Sequence, residues 1–123
     1  MIQAALATKK LDNSDSLPEM QSLLVKYSKC RGNLDFLNAV HIAGSKGKGS
    51  VCAFTERTLR SKGLKTGMFT SPHLIHPRER IRINGAAVGE EEFATRVIGL
   101  ESKMSLNGEQ ISFFRFLWIV AVD

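Results

Sequence analysis

Residues 44–50, Gly-Ser-Lys-Gly-Lys-Gly-Ser, constrain the fold of this chain more than any other stretch. The run stands between two segments of opposite character. Before it, Asn38 to Ala43 (NAVHIA) reads as a short strand. After it, Val51, Phe54, Thr55, Thr58 and Leu59 recur on one face of a helix from Ser50 to about Lys62, with Gly63 as its stop. Lys65 to Thr70 (KTGMFT) reads as a second strand. Strand, glycine-rich loop, helix and strand form a βαβ unit, whose two strands are expected to be parallel. The expected fold class is therefore α/β, with a P-loop-type parallel sheet and flanking helices.

Such a loop has a definite chemistry. A turn that leads from a strand into a helix exposes several backbone N–H groups on its inner side, where phosphate oxygens fit and the helix dipole favours their charge. Gly44, Gly47 and Gly49 let the backbone turn tightly and approach the phosphates. Lys48 can reach the β and γ oxygens, and the Ser50 hydroxyl can bind Mg2+ or a phosphate oxygen. The common pattern G-x-x-x-x-G-K-[ST] is met imperfectly, since Ile42 stands where it wants glycine and Gly49 where it wants the hydroxyl.

Charge supports an anion site here. The chain carries a net +5, and residues 46–82 hold nine lysines and arginines against two glutamates. That stretch is +7, so the rest of the chain sums to −2. At 123 residues there is room for one domain. No apolar run approaches the roughly 20 residues that cross a bilayer. Cys30 and Cys52 lack zinc spacing and read as buried free thiols of a reducing compartment. The N-terminus has neither the apolar core of a secretory signal nor the arginines of a good transit peptide.

Elsewhere the elements are simpler. Residues 1–17 read as a flexible lead-in. Ser16 is a candidate cap, Pro18 fits a first helical turn, and Met20, Leu23, Leu24 and Tyr27 give an apolar stripe to about Cys30. The stripes Leu23/Leu24/Tyr27 and Phe54/Thr58/Leu59 are both expected to be core faces. Residues 71–80 read as a loop. Arg80–Ile83, Asn84-Gly85 and Ala86–Val88 read as a hairpin with an Asn-Gly turn. A third helix runs from the Gly89–Glu92 acidic start to about Met104. Ile111 to Val122 is apolar throughout except for Arg115. Two parallel strands are too few for a sheet covered on both faces. The chain therefore reads as the front part of a domain, with Ile111–Val122 left without a partner surface and prone to associate.

Three motifs carry a resemblance. G-S-K-G-K-G-S, T-S-P-H-L at 70–74 and R-E-R-I-R-I-N-G at 78–85 resemble folylpolyglutamate synthases of the Mur ligase superfamily, with Gly63–Gly67 and an F-R-F-L echo at 114–117 in support. The resemblance is strong over about residues 38–93, and 70–85 points to the folate branch. Ser45 departs slightly, threonine being commonest there. The resemblance implies an ATP-dependent ligase that adds L-glutamate to the γ-carboxylate of a reduced folate or folylpolyglutamate through an acyl phosphate. It implies that Gly44, Ser45, Lys46, Gly47, Lys48, Gly49 and Ser50 hold the triphosphate, with Lys48 in the catalytic role. It implies Ser71, with Ser50, as a magnesium-ligand hydroxyl. It implies a mobile loop from Pro72 to Arg80 that meets folate, with Pro72, His73, Arg78, Arg80 and Arg82 as substrate contacts. As metal ligands His73 and His76 are disfavoured against solvated loop positions, and Arg82 is equally an outward strand residue.

The family's acidic and histidine magnesium ligands, and its C-terminal glutamate-binding domain, are expected to lie outside these 123 residues. Asp123, after an apolar run, mimics a strand-end metal ligand, although the resemblance places a helix there. On this reading the chain is a truncated form, inactive alone. Its relatives imply a cytoplasmic location, with a mitochondrial one also open, and a monomer when full length. A bifunctional dihydrofolate synthase role stays open, as does a non-ligase P-loop protein, although a kinase has no reason to carry 70–85. A nucleic-acid module is disfavoured, since Phe69 alone interleaves the basic residues of 57–82.

Overall fold

The computed structural model describes residues 16–123, so the flexible lead-in expected over 1–17 lies, for residues 1–15, outside the described residues. Ser16 and Leu17 are already helical. The described chain forms two compact units, one from residues 16–38 with 94–123 and one from Ala39–Phe93.

The first unit is helical. Helix α1 is described over Ser16–Tyr27, and the expected cap at Ser16 lies at the edge of the described residues. Its stripe of Leu23, Leu24 and Tyr27 is buried as its spacing requires. A short 3-10 turn follows at Asp35–Leu37. Within this unit α1 packs on the last helix, Phe113–Val122. Here the structure corrects an expectation. The apolar run at 111–122 does have a partner surface: Ile111, Phe116, Leu117, Ile119 and Val120 are buried, Leu117 completely. Glu19 of α1 pairs with Arg115 at 2.6 Å, tying residues 96 positions apart. Asp123 is no strand-end metal ligand. It ends a helix, accepts the Lys29 amide at 3.0 Å, and faces the Lys29 ammonium at 3.4 Å and Arg96 at 3.9 Å. Lys26 pairs with Glu109, which raises the lysine's pKa and lowers the glutamate's.

The second unit carries helix α2, Lys48–Ser61, and a sheet of β1 (Gly67–Phe69), β2 (Ile81–Ile83) and β3 (Ala86–Ala87). The parallel pairing expected from the βαβ pattern is absent. Both ladders are antiparallel, with Gly67 opposite Ile83, Phe69 opposite Ile81, and Arg82 opposite Ala87. Residues 38–43 follow no strand at all. The physical reason is coverage. A parallel pair needs both faces buried, yet Val40 is 65% exposed. The antiparallel partner comes instead from the nearby hairpin, whose register the Asn84-Gly85 turn fixes with φ of 49° and 82° at its two centres.

Helix α2 begins two residues before the expected Ser50 and ends at Ser61, with Gly63 just beyond it as the expected stop at φ 80° and the Leu64 amide bonded to the Leu59 carbonyl at 3.3 Å. Its apolar stripe is not a core face, which corrects a second expectation: Phe54 is 75% exposed, and Val51, Thr58 and Leu59 are exposed too. The face that is held is the one bearing Glu56. This buried carboxylate accepts the Thr66 hydroxyl at 2.6 Å and the Arg60 guanidinium at 2.8 Å. Thr66 in turn gives its amide to the Asn84 side chain at 2.9 Å. One chain of hydrogen bonds thus fastens α2 to the strands.

The Thr66 hydroxyl, and after it Arg60, hold the Glu56 carboxyl below its ordinary value. A lowered folded-state pKa gives stability that is present above the unfolded value and is lost as pH falls through the folded one. Glu56→Gln is therefore expected to be less stable than the parent at neutral pH, with the two urea midpoints converging in acid. Parallel curves across the acid range would show that this carboxylate carries no such linkage.

Helix α3 spans Glu90–Leu106, its first turn acidic as the dipole favours. Cys30 and Cys52 are free. Among the described residues no helix is long and apolar enough to cross a membrane.

Candidate functional site

The site begins where α2 begins. Gly47 precedes the helix at φ 75°, a left-handed conformation that a residue with a Cβ adopts only under strain. The first intrahelical bond runs from the Val51 amide to the Gly47 carbonyl at 3.0 Å. The amides of Lys48, Gly49 and Ser50 therefore have no partner within the helix, and no side chain caps this end. They form the positive end of a 14-residue helix dipole. A Cβ placed on Gly47 or Gly49 would meet nothing within 4 Å, so open space adjoins both residues.

Lys48 bends back over its own loop. Its ammonium donates to the Gly44 carbonyl at 2.6 Å and to the Ser45 carbonyl at 3.4 Å. Gly44 has φ 147°. Ser45, Lys46 and Ser50 are exposed. The seven loop residues thus form one open, amide-rich, cationic turn. That arrangement can take phosphate oxygens without displacing a buried group.

The second group of expected residues follows β1. The Thr70 amide bonds to the Arg80 carbonyl at 2.9 Å, which carries the β1–β2 pairing to the edge of Ser71. Ser71 and Pro72 are exposed, and the bond between them is cis. His73 and Arg80 are brought together: the guanidinium Nε donates to His73 Nδ1 at 2.9 Å. His73 is therefore half-buried and engaged, not the solvated loop histidine expected. Arg78 stands apart, with its guanidinium on the Val88 carbonyl at 3.1 Å. Arg82 is exposed at the centre of β2, between Met68 and Ala87. Residues 77–80, read as plain loop, form a 3-10 turn.

One residue escaped the sequence reading. Glu79 receives the amides of Leu74, Ile75 and His76. The only signal was the spacing His76-x-x-Glu79 with Pro77 between, a weak capping pattern.

No group of three or more His, Cys, Asp or Glu that could hold a metal exists among the described residues. Magnesium asks for less. It keeps several waters and is usually held by one or two carboxylates together with substrate phosphates. Ser50 and Ser71 each present an exposed hydroxyl.

No protein-family model matches the chain. Known proteins do. The chain is 44% identical over 119 residues to the mitochondrial folylpolyglutamate synthase of Bos taurus, covering 92% of this chain and 20% of that protein. The folylpolyglutamate synthase of Thermotoga maritima shares its fold with a TM-score of 0.75 and 29% identity, over 98% of this chain and 28% of the other. A bifunctional folylpolyglutamate synthase/dihydrofolate synthase with Mn, AMPPNP and L-glutamate bound matches with a TM-score of 0.67 and 27% identity, over 91% of this chain and 26% of that one. The chain thus spans about a fifth of the length of the curated relative.

Proposed function

Because the chain belongs to the folylpolyglutamate synthase family, we propose that its 123 residues form the nucleotide-binding front of an ATP-dependent ligase that adds glutamate to a reduced folate. The observation that carries this reading is the uncapped start of α2, entered through Gly47 at φ 75° with Lys48 at its first residue.

The chemistry explains the need. A carboxylate is a poor electrophile. Transfer of the γ-phosphate to the folate γ-carboxylate gives an acyl phosphate with a good leaving group. The glutamate amine attacks its carbonyl carbon, and phosphate leaves while ADP is released. Two anions must first meet, so positive charge has to be held ready. The amides of Lys48, Gly49 and Ser50 hold the β and γ oxygens, with Gly44, Ser45, Lys46 and Gly47 shaping the turn. Lys48 swings from the Gly44 carbonyl to the phosphates. Magnesium, when bound, offsets charge on the phosphates, with the Ser50 and Ser71 hydroxyls as protein ligands. Pro72, His73, Arg78, Arg80 and Arg82 draw in the folate carboxylates.

A nucleotide-analogue and glutamate complex among the solved neighbours supports this reading. The bifunctional title of that same neighbour favours a second one, in which dihydrofolate synthase activity accompanies glutamate addition. The mitochondrial name of the bovine relative supports a mitochondrial location beside a cytoplasmic one. The full-length protein is a monomer on this reading.

The test has two arms. Calorimetry of the 123-residue chain with ATP and Mg2+ should show weak but saturable binding. Incubation with ATP, Mg2+, tetrahydrofolate and labelled glutamate should give no polyglutamate above blank, because the glutamate site lies outside this segment. Absence of nucleotide binding would overturn the cradle. Product formation would overturn the partial-site reading.

A further inference from the structure

The loop that follows Ser71 is built around a single carboxylate. Leu74 donates its amide to Glu79 Oε2 at 2.9 Å, and His76 donates to Oε1 at 2.8 Å. The Ile75 amide reaches both oxygens, at 3.2 and 3.4 Å. In return the Glu79 amide donates to the His76 carbonyl at 3.0 Å. Three successive N–H groups converging on one anion form a concave nest of the kind that binds phosphate or carboxylate ligands. Here the nest is filled from within the chain. The His76 amide first, then that of Leu74, hold the Glu79 carboxyl below its ordinary range.

Either side of Glu79 are groups assigned to the substrate. Arg78 reaches the Val88 carbonyl, and Arg80 meets His73. His73 immediately precedes the three captured amides, and Arg80 immediately follows the residue that captures them. The carboxylate therefore closes the ring on which both members of the His73–Arg80 pair stand.

We propose that Glu79 is a positioning residue: by holding the amides of 74–76, it sets His73 against Arg80 and presents the pair, preformed, to an anionic substrate. With the nest already occupied, an incoming carboxylate meets the arginine and not the backbone. This proposal rests on the folate-ligase reading for the nature of that anion, but not for the arrangement itself.

The experiment uses the 123-residue chain with Glu79→Ala and the near-isosteric Glu79→Gln. Amide exchange at Leu74, Ile75 and His76 should quicken about tenfold or more in Glu79→Ala, because the charge-assisted bonds that close these amides are gone. Exchange in Glu79→Gln should fall between, since an amide oxygen still accepts. The ring resonances of His73 should shift in both variants, which a loop held by other means would not show. Amides of β1 and β2 should keep their exchange rates, so an unfolded variant is recognised at once, and Glu79→Gln then decides. Unchanged protection at 74–76, or His73 signals identical to the parent, overturns the proposal. Titration with a reduced folate triglutamate separates the two readings. If the loop loosens in the variants but the parent binds no folate, the folate reading fails and the positioning role stands. If the parent binds and the loosened variants bind equally well, the presentation of the pair to substrate is overturned.

Discussion

Lys48→Ala is expected to weaken ATP–Mg2+ binding by the 123-residue chain about tenfold to a hundredfold, the usual range for deleting one hydrogen-bonded charge. The fold has little reason to change, since Lys48 is the exposed first residue of α2 and alanine is a strong helix former. Its two bonds in this structure go to carbonyls of its own loop, at 2.6 and 3.4 Å. Both carbonyls are solvent-accessible, so losing the ammonium there costs little. The loss falls on the bound state, where phosphate charge would face an uncapped helix start without its mobile cation. Lys62→Ala is the control. It removes the same charge from the far end of the same helix, and should change affinity only through weak long-range attraction. Calorimetry at two salt concentrations reads the comparison. Equal affinities for the two variants would show that Lys48 acts as part of a diffuse field and not as a directed contact.

Leu117→Ala is expected to destabilise the helical unit by about 2–5 kcal/mol, the range for truncating a large buried aliphatic side chain. Leu117 has no exposed surface, and its neighbours Phe116, Ile119 and Val120 are buried with it. A loss of that size is comparable to the whole stability of a small domain. The variant should unfold at markedly lower urea than the parent, and Phe114→Ala, half-exposed on the same helix, should move the midpoint far less. Similar midpoints for the two variants would mean that the helix Phe113–Val122 is not packed as described.

What the residues alone revealed was mostly local. The Asn84-Gly85 turn, the stop at Gly63 and the Leu23/Leu24/Tyr27 stripe are settled by neighbours a few positions away, and each stands where its pattern placed it. The glycine spacing of 44–50 likewise marked the entry to α2, although the helix takes in Lys48 and Gly49 as well. Pairing and coverage were not legible. Gly67–Phe69 could be assigned as a strand without knowing its partner, and the partner proved to be the hairpin, not residues 38–43. Periodicity gave Phe54 and Leu23 the same reading, because it reports a face and not what covers it. The burial of 111–122 depends on α1, about a hundred positions earlier in the chain. Glu79 was hidden for another reason: a carboxylate that captures successive amides depends on backbone direction, which residue types do not encode.

The Glu19–Arg115 pair has a consequence in time. Helix α1 leaves the ribosome well before its partner, the helix Phe113–Val122, is completed. At typical synthesis rates of about 5–20 residues per second, roughly 5–20 seconds separate the two. Throughout that interval Leu23, Leu24 and Tyr27 have no native surface to bury against. The Ala39–Phe93 unit faces no such delay, since its bond from the Thr66 amide to the Asn84 side chain spans only 18 positions. A nascent chain would therefore complete the Ala39–Phe93 unit while helix α1 still waits, and that uncovered apolar stripe is where a ribosome-associated chaperone would find its hold.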